Sequence, residues 1–256
     1  MYPVLFKFGP LTIHTYGFCI AIGFVAALMY VSRTAKQRQI NSEIIIDLCF
    51  YALVFGMIGG RILYVILEWD SFENNLLEIF KIWNGGLVFY GGFIVALIFS
   101  WRYMKIKQLP VMQTLDILAP AVALAHGFGR IGCFFAGCCY GSHCELPWAV
   151  TFTHPLTLAR PGIPLHPTQL YSSAMNFFIF GILFYFYKRN PKAGSIAIAY
   201  LLIYGIGRIC IELFRGDDRG AVFLYLFSPA QAIGLFMVAM SGILYLLVIK
   251  KSKGIQ

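Results

Sequence analysis

ALAHGFGRIGCFF, residues 123–135, carries a guanidinium, Arg130, through a run that is otherwise as apolar as a lipid tail. Two further stretches repeat the pattern: FGMIGGRILYVIL at 55–67 holds Arg61, and LLIYGIGRICIEL at 201–213 holds Arg208. A guanidinium keeps its charge in proteins and costs roughly 2.5–3.5 kcal/mol at the centre of a membrane-spanning helix. Each of these arginines follows glycine, so backbone or ligand can come close beside the cation. Two readings are open. The arginines form a buried anion site, for which phosphate is the natural occupant in a bilayer, or they pair with carboxylates and helix-end carbonyls and hold helices together. Glu212, one turn after Arg208, and Asp116 are available for the second reading.

Working outward, the 256 residues are 59% hydrophobic and 12% charged, whereas soluble domains carry roughly 25% charged residues. The chain reads as an all-α integral membrane protein. Its first apolar run extends well past the length of a signal-peptide core and lacks a small-x-small cleavage pattern, so it is expected to stay as a helix. Spans of about 20 residues are needed to cross the hydrocarbon core, and seven fit: 12–31, 44–67, 86–104, 115–135, 168–187, 194–214 and 229–249. The net charge of +9 is concentrated in short connectors, which speaks for membrane orientation and against nucleic-acid binding.

Twelve of the 20 Lys and Arg lie on one side: Arg33, Lys36 and Arg38; Arg102, Lys105 and Lys107; Lys188, Arg189 and Lys192; and Lys250, Lys251 and Lys253. The opposite connectors hold Lys7, Lys81, Arg160, Arg215 and Arg219 among seven acidic residues, including Asp217 and Asp218. The positive-inside rule then puts the N-terminus outside and the C-terminus in the cytoplasm. Residues 1–256 form one seven-helix membrane domain in this reading. Two external connectors exceed simple turns. Residues 68–85, with Leu76, Leu77, Ile79, Phe80, Ile82 and Trp83, read as an amphipathic arm on the membrane surface or a packed loop helix, and residues 140–167, with five prolines, read as a small external cap.

The segment HGFGRIGCFFAGCCYG, 126–141, is dense in glycine and must be packed tightly or partly unwound. It resembles the signature of bacterial prolipoprotein diacylglyceryl transferases. Gly85-Gly86-Leu87-Val88-Phe89-Tyr90-Gly91-Gly92, His166-Pro167-Thr168-Gln169-Leu170-Tyr171, and Tyr204 through Arg208 and Glu212 to Arg215 are similar to further segments of that family, in its order. Tyr16-Gly17 and Gly59-Gly60-Arg61 fit as well. The resemblance implies a transferase of the bacterial cytoplasmic membrane. It would move the diacylglyceryl group of phosphatidylglycerol to the lipobox cysteine in a prolipoprotein signal peptide, forming a thioether and releasing glycerol phosphate. The implied site has Arg130 and Arg208 as essential arginines, with Tyr16, Tyr90, Tyr204 and Glu212 as further catalytic positions. Arg61, Gly141, Cys133, Gln169 and His166 join the two arginines as substrate contacts. No cofactor, metal or nucleic acid is expected.

Chemistry is compatible with that implication. Displacement at a glyceryl carbon makes the phosphate a leaving anion that preorganised arginines stabilise. The attacking sulfur must be a thiolate, and a phenol, a carboxylate or a phosphate oxygen are all open as proton acceptors. The chain departs from the commoner family pattern at Tyr90, where many members have His, at Cys133 in place of Asn, and at Cys138 in place of Glu. Four of the seven cysteines cluster as Cys133, Cys138, Cys139 and Cys144 near His126, His143, His154 and His166. Their C-x4-C-C-x4-C spacing is not a standard zinc pattern. Disulfides or simple packing remain open for them. Two rival functions also remain open to the residues alone: an anion or lipid transporter, and a disulfide-handling membrane protein, which leaves the arginines unexplained.

Overall fold

The computed structural model describes residues 2–9, 11–73, 75–82, 85–216 and 228–250, and it is helical throughout apart from two small hairpins. Strands β1 (Val4–Phe8) and β2 (Leu11–His14) pair antiparallel and lead into α1 (Thr15–Gln37). There follow α2 (Ser42–Leu67), α3 (Phe89–Ile106) and α4 (Val111–Ala136). A second hairpin, β3 (Val150–Thr151) with β4 (Pro164–Leu165), precedes α5 (Thr168–Tyr187), α6 (Ser195–Glu212) and α7 (Pro229–Leu244), which runs on as a π turn over Tyr245–Lys250. Six of these seven helices, all but α3, are long and apolar enough to cross a membrane. Helix α3 is marked off by Arg102 and Lys105 in its last two turns. Trp83, Asp217, Asp218, Arg219, Lys251 and Lys253 lie outside the described residues.

Two differences from the sequence reading have simple causes. The first span begins at Thr15 rather than 12, because residues 11–14 pair with β1, and it continues through Arg33 and Lys36 to Gln37. Hydropathy marks the hydrocarbon, whereas a helix carries on as long as its lysines and arginines can reach polar surroundings. It stops where Gln39 turns left-handed (φ 56°) and the Ile40 N–H closes on the Ala35 carbonyl. The 68–85 connector is not one amphipathic helix but two short 3-10 turns, Trp69–Ser71 and Leu76–Phe80, with Leu77 and Phe80 exposed.

The chain forms two compact units, residues 31–114 and residues 1–30 with 115–256. In the first, α2 and α3 cross through glycine. A Cβ on Gly59 would meet Val95 at 2.6 Å and the Gly91 carbonyl at 2.7 Å, and one on Gly92 would meet the Gly56 carbonyl at 2.6 Å. Small residues let the backbones touch, which is how helices associate where apolar surface alone gives no drive. Phe55 stacks on Phe99 at 4.1 Å beside the crossing.

In the second unit the glycines of 126–141 divide between the two readings, packed tightly up to Ala136 and in unwound backbone from Gly137. The helix stays intact to Ala136, with Gly127 against the Phe177 ring and Gly132 against Tyr16 and Cys19. Helices α6 and α7 close on Gly205 and Gly234, whose Cβ positions would each lie 2.9 Å from the other's carbonyl oxygen. Asp116 caps α6 from α4, its carboxylate accepting the Gly194 N–H at 2.6 Å and the Ala197 N–H at 2.8 Å. Residues 140–167 carry a small core of Phe152, Ala159 and Leu165, with Phe134 of α4 and Tyr140 packed on it.

Candidate functional site

Arg130 sits one turn after His126 on α4, and its Nε donates to His126 Nε2 at 3.0 Å. The imidazole is therefore neutral and carries its proton on Nδ1. Its ring lies 5.6 Å from that of Tyr204 on α6, which stacks on Tyr200. Among the described residues the two Nη atoms of half-buried Arg130 carry no hydrogen bond. Its charge is felt at Tyr16, Cys133, Tyr204 and Arg208.

Arg208, 7% exposed, pairs through Nη2 with Glu212 at 2.8 Å, so the carboxylate reading holds in part. Among the described residues its Nη1 is buried without a partner. Glu212 also faces Arg215 Nε at 3.8 Å and accepts the Ser228 hydroxyl at 2.8 Å. Ser228 in turn caps α7 through a reciprocal bond with Gln231. Three guanidinium groups against one carboxylate leave two formal positive charges in excess among the described residues here.

Gly141 holds the outer edge of this region. Its N–H bonds the His166 carbonyl at 2.9 Å, and the Ser142 N–H bonds the Phe214 carbonyl at 2.9 Å. The chain after α4 is thus threaded between the start of α5 and the end of α6. A Cβ at 141 would press on His166 and lie 2.6 Å from the Phe214 oxygen, so no other residue fits without moving a backbone. His166 does not cap α5. Its Nδ1 meets the Tyr171 hydroxyl at 3.1 Å, and its ring packs on Tyr171 and Phe214.

Cys133, Cys138 and Cys139 bring their sulfurs within 4.8 Å of one another, and no disulfide joins any of the cysteines. Consecutive cysteines can face one point because Cys139 adopts the left-handed region (φ 61°) after Gly137 (φ 75°). Buried Gln169 donates to the Cys138 carbonyl at 2.8 Å, and buried Thr168 to the Cys139 carbonyl at 2.8 Å. Hydrogen bonds from the Cys133 and Cys138 thiols hold the Cys139 thiol well below its ordinary range, with Arg215 and Arg130 acting the same way. Cys138 is pushed up by its bonds with Cys133 and Cys139 and by burial.

Arg61 and Tyr90 belong to the unit of residues 31–114. Arg61 is caged by backbone carbonyls: Nε on Ile79 at 2.8 Å, Nη1 on Gly85 at 2.7 Å and Gly86 at 3.1 Å, and Nη2 on Glu78 at 2.7 Å. Tyr64 and Phe72 flank its plane. The glycines at 85 and 86, both with positive φ, let those carbonyls reach the cation. Tyr90 lies in the first turn of α3, about half exposed.

Tyr16, Cys133, Gly141, His166, Gln169, Tyr204, Arg208, Glu212 and Arg130 therefore share one unit, and Arg61 is tied to a loop in the other. His126, Arg215 and Ser228 had no place in the site read from the sequence. The four-residue spacing of His126 and Arg130 was the available signal for the first. Chemically the arrangement offers an anion two guanidinium groups with free donors, a carboxylate already committed to its own cations, and a thiol cluster beside them.

A sequence profile described as prolipoprotein diacylglyceryl transferase matches residues 3–247. A phosphatidylglycerol–prolipoprotein diacylglyceryl transferase of Clostridium tetani is 40% identical over 238 residues, 93% of this chain and 94% of the relative. A second such transferase, of Clostridium perfringens, is 35% identical over 92% of this chain and 91% of its own length. One of Streptococcus uberis is 35% identical over 99% of this chain and 97% of its own.

Proposed function

This chain belongs to the prolipoprotein diacylglyceryl transferase family, and on that premise we propose that it moves the diacylglyceryl group of phosphatidylglycerol to a prolipoprotein lipobox thiol, with Arg130 and Arg208 gripping the phosphate. It is a multi-pass membrane transferase; the relatives' names give no support to transport. The observation that carries the grip is the buried, unpartnered Nη1 of Arg208, in an arginine that shares its field with the open donors of Arg130. A buried donor without an acceptor costs about 1–3 kcal/mol, and a phosphate oxygen supplies the acceptor.

In the reaction the sulfur–carbon bond forms as the glyceryl carbon–oxygen bond breaks. The phosphodiester monoanion leaves as a phosphomonoester whose second negative charge grows in the transition state. Fixed guanidinium groups stabilise that growing charge more than the starting diester, which is the condition for raising turnover. Glu212 acts as counter-ion, because two arginines and the Ser228 hydroxyl already hold its oxygens. His126 orients Arg130 and spends its basic nitrogen doing so. The acceptors left for the thiol proton are the phenols of Tyr16 and Tyr204 and an oxygen of the departing phosphate. Gly141, His166, Cys133 and Gln169 shape the surroundings in which the substrates dock. Arg61 anchors the 76–86 segment through its backbone carbonyls. Tyr90 is assigned no step.

The topology we propose has seven spans, α3 included, with the N-terminus outside a bacterial cytoplasmic membrane and the C-terminus inside. The asymmetry of connector charge supports it.

The test is mass-spectrometric detection of diacylglyceryl peptide after incubation with phosphatidylglycerol and a lipobox peptide. Arg130→Ala should lose transfer, and Arg130→Lys should do little better, because a point charge cannot match a planar fork on two phosphate oxygens. Near-normal transfer by well-folded Arg130→Ala refutes the grip.

A further inference from the structure

We propose that Cys133, Cys138 and Cys139 form a three-thiolate site for a thiophilic divalent ion, with zinc as its probe, and that occupancy slows lipid transfer by engaging Arg130. The sulfurs already lie within 4.8 Å of one another. Tetrahedral zinc with Zn–S bonds of about 2.3 Å sets sulfurs about 3.8 Å apart, so closure asks each pair to shorten by at most about 1 Å, which rotation about χ1 supplies. None of the three is in a disulfide.

Two features make this more than a chance approach. The left-handed Cys139 lets the sulfurs of adjacent cysteines approach the same point. The loop is also held from outside itself, since buried Thr168 and Gln169 on α5 bind the Cys139 and Cys138 carbonyls and the Cys138 N–H bonds the Cys133 carbonyl at 3.2 Å. Ligands fixed this way lose little freedom when an ion arrives. Among the described residues no fourth Cys, His, Asp or Glu ligand atom lies within that distance of all three sulfurs, so a zinc ion here keeps one position for water.

Charge decides the consequence. Three thiolates and a divalent ion make a complex of net charge −1, and the positive charges of Arg130 and Arg215 act on the cluster. The arginines favour that complex over three protonated thiols. An Arg130 drawn to it is weakened as a phosphate ligand, so the ion and the lipid compete for one guanidinium. The braking effect rests on the function proposed above; ion binding does not.

Purified full-length protein in detergent, kept reduced with a phosphine, is saturated with zinc, freed of excess by gel filtration and assayed for metal by mass spectrometry. One zinc per chain is expected. Cys138→Ser and Cys139→Ser should each weaken binding by at least about 100-fold, beyond the 10–100-fold typical of losing an outer-shell partner, and Cys210→Ser should change nothing. Transfer by the unmodified protein should slow at least tenfold on zinc saturation and recover on chelation, while both Ser variants transfer at one rate with or without zinc. Failure of the folded protein to retain zinc, retention unchanged in both Ser variants, or a disulfide within the trio in protein purified without reductant overturns the site. Stoichiometric zinc with unaltered transfer overturns the brake. If zinc-free protein does not transfer at all, the proposed function fails, and zinc retention still reports on the site.

Discussion

Deleting Arg208 has two consequences, on folding and on turnover, that a second substitution separates. Arg208→Ala strands Glu212, whose side chain is only 7% exposed, with Arg215 at 3.8 Å and the Ser228 hydroxyl at 2.8 Å as remaining partners. Breaking a buried pair from one side costs about 3–5 kcal/mol, and the two remaining partners put this case near the lower figure. Removing both charges with apolar residues of similar volume, Arg208→Met with Glu212→Leu, avoids the stranded carboxylate but takes Glu212 from Arg215, 3% exposed, and from the Ser228 hydroxyl, so a loss of about 2 kcal/mol is expected. Turnover behaves differently. Loss of one preorganised donor to a developing anion lowers kcat by about 10²–10³, or about 2.7–4 kcal/mol, and the double variant suffers that loss in full. Thermal unfolding in detergent, followed by circular dichroism, measures the first effect, and diacylglyceryl-peptide formation per folded molecule measures the second. The single variant should melt lower than the double, and both should be at least 100-fold slower than the unmodified protein. A double variant that folds and transfers within tenfold of normal refutes the phosphate grip.

Gly141→Ala should cost about 3 kcal/mol, from overpacking against His166 and the Phe214 carbonyl, and transfer should fall in step with the melting temperature. Arg61→Ala strips the hydrogen bonds from the carbonyls of Glu78, Ile79, Gly85 and Gly86; the yield of monodisperse protein on gel filtration should drop at least as much as turnover per folded molecule. Asp116→Ala removes the cap on α6 and should destabilise by about 1–2 kcal/mol, read by the same melts, with turnover per folded molecule retained. For topology, single cysteines at positions 36, 105 and 192, in a background where the native cysteines are blocked, should all resist an impermeant reagent in intact cells. External labelling at any of the three breaks the proposed orientation.

Much of the helical architecture was legible because hydropathy is a local property. A run of about 20 apolar residues must satisfy its backbone internally wherever it sits in a bilayer, so α2, α4, α5, α6 and α7 fall close to their expected positions. The boundaries that failed were those that a distant strand or a charged side chain decides. Thr15 starts α1 because residues 11–14 pair with β1, and the 68–85 segment breaks into short turns as its carbonyls turn toward Arg61. Asp116 caps a helix that begins 79 residues later, a partner its own span does not reveal.

For the site, residue identity carried the chemistry. A guanidinium cannot be left bare in an apolar run, so Arg61, Arg130 and Arg208 announced themselves from the sequence. Which of them is free to hold a ligand could not be read there, because freedom depends on what the rest of the chain brings to each. Glycines at 85 and 86 deliver carbonyls that occupy Arg61, while Glu212 takes one edge of Arg208 and leaves Nη1 open. The cysteines teach the same lesson in reverse. Their spacing argued against a shared point, and one left-handed residue, held through its carbonyl by α5, brings three sulfurs together. Local sequence sets what a residue needs, and only tertiary contacts decide whether the need is already met.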